Sequence, residues 1–221
     1  MMRCNFYSGF TRIAAGLFLA VMPAVTRGQV VFNNFGPGDT YQTRSGWAEF
    51  GPNTSLGTFQ TGMGFTPIAT GYLSTIEMAM VLSRGPNELD VVLMSDIGGL
   101  PGAIMESFHL DGAMPGPDGN LHPPIVLTSS LHPFLEIGKQ YWIIPQETGA
   151  IRAAWMWNSI GDAGPISDTE SDGITTISSD IRSAFRVTDV PEPGSVALVT
   201  SALLVPSAAW LARRRKLTAT L

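Results

Sequence analysis

Carboxylates dominate the side chains here that could do chemistry: eighteen Asp and Glu stand against three His and a single Cys. Nucleophilic catalysis has little to work with. No Gly-x-Ser-x-Gly elbow occurs, and Cys4 sits ahead of an N-terminal apolar run, so it would leave with a cleaved leader. His109, His122 and His132 lack the His-Glu-x-x-His spacing that sets two imidazoles on one metal. Paired carboxylates could hydrolyse a glycosidic bond, but so many acids make some pair inevitable, and abundance carries no specificity. The sequence is therefore expected to be noncatalytic.

Two binding chemistries are better represented. Asp111-Gly112, Asp118-Gly119-Asn120, Asp162, Asp168, Glu170 and Asp172-Gly173 set oxygen ligands beside flexible glycines, as a hard cation such as calcium requires. No complete Asp-x-Asp-x-Asp-Gly loop is present, and Asp and Asn in such places also simply form turns. Trp47, Tyr141, Trp142, Trp155 and Trp157 could stack on sugar rings or fill a core. Trp155 and Trp157 lie two apart and so share one face of a strand, with Met156 on the other. Exposure of that face would favour glycan contact, and burial would remove it.

The elements that must position these residues read as strands. Short apolar or alternating runs recur between Gly, Pro, Asn and Asp clusters, the pattern of an all-β protein folded as a single jelly-roll-like β-sandwich. Strands are expected over 30–33, 46–50, 59–65, 71–82, 89–95, 104–110, 124–127, 140–145, 153–158 and 183–187. In 71–82, Tyr72, Ile76, Met78 and Met80 are assigned to one face and Thr75 and Glu77 to the other. The run 89–95 is apolar at nearly every position, as in a central strand covered on both sides. Turns are expected at Arg84-Gly85-Pro86-Asn87, 98–102, 116–120 and Gly161-Asp162-Ala163-Gly164.

Both ends stand apart from this domain. At the start, Arg3 and Arg12 precede the apolar run 13–21, and small residues follow at Ala24 and Gly28, the order of a secretory signal over 1–28. At the other end, residues 195–211 carry no charge and, as a helix, would span about 25 Å, marginal for a bilayer of about 30 Å. Arg213, Arg214, Arg215 and Lys216 follow as a membrane stop. By the positive-inside rule they stay cytoplasmic, so the domain lies across the membrane, as the leader also requires. Between these ends, residues 29–189 hold six basic residues (Arg44, Arg84, Lys139, Arg152, Arg182, Arg186) and all the acids except Glu192. So acidic a surface, with no basic cluster, disfavours nucleic acid as a partner.

The junction carries Val190-Pro191-Glu192-Pro193-Gly194. Two prolines around Glu192 keep the backbone extended and open to an enzyme. With the apolar span and basic cluster behind it, segment 190–221 resembles the PEP-CTERM sorting signal. The resemblance implies a Gram-negative-type bacterium, an exosortase (a membrane cysteine transpeptidase) as processing partner, and an exopolysaccharide setting. Within the domain, Asn34-Phe35-Gly36-Pro37-Gly38-Asp39-Thr40-Tyr41, Gly46-Trp47, Phe65-Thr66-Pro67, Ile76, Leu100-Pro101-Gly102, Glu106-Ser107 and Leu135 to Trp142 come in order, with Trp155 and Asn158 after them. This order is similar to the choice-of-anchor R domain, which implies location and architecture and no catalytic residue. The sequence thus predicts an exported surface or matrix protein. Its alternative is a carbohydrate-binding module, calcium-assisted or not, that uses Trp155 and Trp157.

Overall fold

The computed structural model describes residues 28–147 and 149–190. The leader ahead of Gly28, the motif from Pro191 to Gly194, the span 195–211 and the stop Arg213, Arg214, Arg215 and Lys216 all lie outside the described residues.

The described chain is all-β, with fourteen strands and no helix. They are Val30–Asn33 (β1), Tyr41–Phe50 (β2), Phe59–Phe65 (β3), Gly71–Met78 (β4), Met80–Arg84 (β5), Glu88–Ile97 (β6) and Leu100–Asp111 (β7). The second half adds Ile125–Thr128 (β8), Phe134–Leu135 (β9), Tyr141–Gln146 (β10), Arg152–Asn158 (β11), Ala163–Glu170 (β12), Thr175–Ile181 (β13) and Phe185–Val190 (β14). Five strands form a small sheet in the order β1-β14-β4-β8, with β9 beside β8 on the edge of β4. Nine form a large one, β5-β11-β2-β3-β10-β6-β7, in which β12 also pairs β3 and β13 pairs β12.

The core lies between the sheets. Val31, Leu73, Ile76, Met78, Ile125, Leu127, Phe185 and Val187 come from the small sheet, and Met63, Phe65, Leu89, Val91, Leu93, Ile143, Trp155 and Ile166 from the large one. Each such side chain contributes about 1.5–3 kcal/mol by leaving water. Strand β6 is covered on both faces: Leu89, Val91 and Leu93 join this core, while Val92 packs with Trp142 and Ile144 in a second cluster. The large indole of Trp142 fits there because its cross-strand partner is Gly64.

Two expectations for 71–82 are corrected. The segment is not one strand, because the chain changes sheets at Ala79. Ala79 N donates to Ala184 O, Met156 N to Ala79 O and Ala184 N to Met156 O, so β4 stays with β14 while β5 crosses to β11. Tyr72 is not inward-facing with Ile76. The β4–β14 register shifts opposite Thr188 and Asp189, so Leu73 is buried and Tyr72 is exposed against Phe134. The turn expected over residues 161–164 ends earlier, with Ala163 and Gly164 already in β12.

Candidate functional site

Strands β2 and β3 share a single residue pair, Phe50 with Phe59. The large sheet therefore has two wings joined at this corner: β5, β11 and β2 on one side, and β3 with its remaining neighbours on the other. Side chains bridge them where the ladder does not. Glu49 Oε2 accepts the Thr61 backbone N–H at 3.0 Å, and Trp47 Nε1 donates to Ile181 O at 2.8 Å.

Around the first of these bridges the core turns polar. Glu49 and Thr61 have no exposed surface and Glu147 only 4%. Asp168, half-buried, is the cross-strand partner of Thr61. Five buried oxygens here make no hydrogen bond of full geometry among the described residues: Glu49 Oε1, Thr61 Oγ1, both carboxyl oxygens of Glu147 and Asp168 Oδ1. No ion pair to Glu49, Glu147 or Asp168 is formed among the described residues. Arg152, beside Phe50 in the β2–β11 ladder, sends its guanidinium to Ser55 Oγ at 2.9 Å.

Burial without a cation moves all three acids the same way. Desolvation, reinforced by the neighbouring Glu147 charge, holds the Glu49 carboxyl well above the usual range, against the pull of the Thr61 N–H. Burial pushes Glu147 up to about 7, with its own backbone N–H and the Gln60 side chain only partly opposing. Asp168 is also raised by burial, the Thr61 hydroxyl opposing, with Asp180 and Glu170 adding repulsion. These groups can hold and release protons. A bound metal is a different matter, for among the described residues no three Asp, Glu, His or Cys side chains converge as a metal site.

Three of the other acids expected as calcium ligands are otherwise engaged. Asp118 accepts from Asn120 N, Asn120 Nδ2 and His122 Nε2 at 2.8–2.9 Å, which lowers its carboxyl to about 2. Asp162 is clasped by Arg182 Nε and Nη2 at 2.9 and 2.7 Å and by Asn34 Nδ2 at 3.1 Å. Asp172 accepts from Ile174 N two residues on. They build turns and an ion pair, and of the expected set Asp168 lies at the corner with Glu170 close enough to repel it. His109 pairs with Asp90 on an exposed surface, and His132 Nδ1 meets Leu73 O.

The aromatics are mostly core. Trp155 is wholly buried, its Nε1 donating to Ala184 O at 3.0 Å and its ring 5.6 Å from that of Phe185. It has no face to offer a sugar, which corrects its expected glycan contact. Trp157 is half-buried, its ring edge-on to Trp47 at 5.8 Å. Trp142 is wholly buried and donates to Asp96 Oδ1 at 2.8 Å. On the outer face of the β5-β11-β2 wing, a shallow trough of about 470 Å³ is floored by Gly46, Ala154 and Met156 and flanked by Arg44 and Asp118, with no aromatic in its lining.

Of the sorting motif, Val190 alone is described. It is the last residue of β14 and pairs with Tyr72. The N-terminal end of the domain lies beside it: Gln29 N donates to Asp189 Oδ1 at 2.6 Å, and Asp189 N to Gln29 O at 2.9 Å.

Glu49, Glu147 and Asp168 are far apart in sequence, and only the topology gathers them. A signal was nevertheless present. Each continues an inward apolar alternation, Glu49 after Trp47, Asp168 after Ile166, and Glu147 after Tyr141, Ile143 and Pro145. Compared with known proteins, the chain matches no family model and no curated protein.

Proposed function

We propose that this chain is a noncatalytic exported protein, a jelly-roll-like β-sandwich held at the cell surface or released into an extracellular matrix after an exosortase acts on its C-terminal signal. The supporting observation is the junction at Val190. Strand β14 runs to Val190, the first residue of the motif and the last of the described residues, and Pro191 after it has no N–H to give a ladder. The described fold thus runs up to the first residue of the motif, whose two prolines are expected from the sequence to keep the backbone open to an enzyme. Gln29 and Asp189 are bonded to each other, so the leader and the tail meet the domain side by side, as suits a domain carried across the membrane at one end and tethered at the other.

On this reading the partners are the inner membrane, through residues 195–211 before processing, then the exosortase, and finally exopolysaccharide as the surrounding matrix. The carbohydrate-binding alternative loses its main support with Trp155 enclosed. Mass spectrometry of the protein from its native host tests the proposal. A mature C-terminus near Glu192 is expected, and an intact tail ending at Leu221 overturns the processing step.

A further inference from the structure

Where the ladder between β2 and β3 stops after one pair, a carboxyl group takes over the next backbone donor, Thr61 N–H. That carboxyl belongs to a group of three acids with a single hydroxyl among them. When all three are ionised, the five buried oxygens include one hydrogen-bond donor, Thr61 Oγ1, and four acceptors. The charges of Glu147 and Asp168 both act against ionisation of Glu49, and a buried carboxylate without a partner is costly to ionise. Each proton taken up converts an acceptor into a donor and removes a charge.

Beyond the Gln60 side chain and the Glu147 backbone N–H, which only partly oppose burial at Glu147, the groups around the corner offer little relief. From β2 comes Glu49, from β3 Thr61, from the end of β10 Glu147, from β12 Asp168 and Glu170, and from β13 Asp180. From β11 the residue opposite Glu49 is Ala153, which carries no charge. A metal would be the usual alternative to protons, but the described acids do not converge as a metal site.

We propose that the corner between the two wings is a proton-held latch, closed while Glu49, Glu147 and Asp168 retain protons among them and loosened when those protons are lost. What it holds is the seam between β2 and the β3–β12–β13 side, which is also linked by the Phe50–Phe59 pair and the Trp47–Ile181 hydrogen bond. The sign follows from the direction of titration. A carboxyl raised above its unfolded value binds its proton more tightly when folded, so its stabilisation is complete at acidic pH and disappears as pH rises through the folded value. For Glu147 that window runs from about 4.5 to about 7.

Amide hydrogen exchange on the exported protein, in chelator and corrected for intrinsic exchange, reads the latch directly. Between about pH 5 and about pH 9, protection of residues 45–63 and 163–181 is expected to fall about tenfold or more, while residues 71–78 and 185–190 stay level. Glu147→Gln, which keeps the shape and supplies a donor, should flatten the fall. Asp168→Asn should reduce it, and as the more exposed position it serves even if a Glu147 variant does not fold. Uniform protection across this range in the wild type overturns the latch. So does a fall that both variants leave unchanged, or one that millimolar calcium abolishes, since that outcome would make the corner a cation site.

Discussion

Glu106 on β7 and Glu49 on β2 are both buried side chains of the large sheet, yet their surroundings drive them in opposite directions. Around Glu106, burial is outweighed by donors: Ser129 Oγ at 2.6 Å on Oε2, and Ser130 N, Leu131 N and Ser130 Oγ on Oε1 at 2.6, 3.0 and 3.2 Å. Its carboxyl falls below the usual range and stays ionised. Glu49 has one donor, two acidic neighbours and no cation, and its carboxyl rises. Burial alone does not decide the charge of a core acid. Depth of burial, neighbouring charge and the count of hydrogen-bond donors decide it together, and so the same sheet carries one acid that ties down a loop as an anion and another that holds a corner as a proton carrier.

The largest effect that would test this contrast is on the anion side. Glu106→Ala orphans the Ser130 and Leu131 amides and the Ser129 hydroxyl, and should cost about 4 kcal/mol in urea denaturation at neutral pH. A loss below about 1 kcal/mol would show that the loop over residues 129–131 is held by something else. Next comes the proton side. Between about pH 4 and about pH 8 the wild type should lose about 3 kcal/mol through Glu147, whereas Glu147→Gln should show no such loss. Equal pH profiles for the two would erase the contrast.

A smaller effect sharpens the idea that Glu49 and Glu147 act together. Glu49→Gln should stabilise the protein above neutral pH, and the Glu49→Gln, Glu147→Gln pair should gain less than the sum of the singles by about 1 kcal/mol. Strict additivity would mean that the acids titrate independently. The smallest effect belongs to an exposed acid. Asp118→Asn should alter the NMR signals of Asn120 and His122 and leave those of Glu49 and Glu147 in place, because its partners are all in its own loop.

Much of this fold can be read from residue alternation. Strands β1 and β3 fall where apolar spacing and flanking turns put them, and the all-apolar run of β6 correctly signals burial on two faces. What cannot be read has identifiable causes. Met78-Ala79-Met80 is uniformly apolar, so nothing in it marks the change of sheets. Strand β13, Thr-Thr-Ile-Ser-Ser-Asp-Ile, is exposed over nearly its whole length and so lacks the contrast between faces on which strand prediction depends. Strand β12 is hidden for another reason, because Gly164 and Pro165 resemble a turn. The corner was harder still. Its acids come from β2, β12 and the residue after β10, which lie far apart in sequence, and the sole local clue is that each occupies an inward position. The aromatics leave the choice open, since Trp155 looks alike in sequence whether it faces sugar or core, and its burial settles it for core.

The most direct measurement of whether their surroundings set the charge of these buried acids is a side-chain carboxyl NMR titration that resolves Glu49, Glu106 and Glu147 in one sample. Glu106 should titrate below the usual glutamate range, Glu147 near 7 and Glu49 above the usual range, with the signals of Glu49 and Glu147 each responding to the other's step. If all three titrate together in the ordinary range, the corner is hydrated and holds no protons, and the contrast between the two buried glutamates fails.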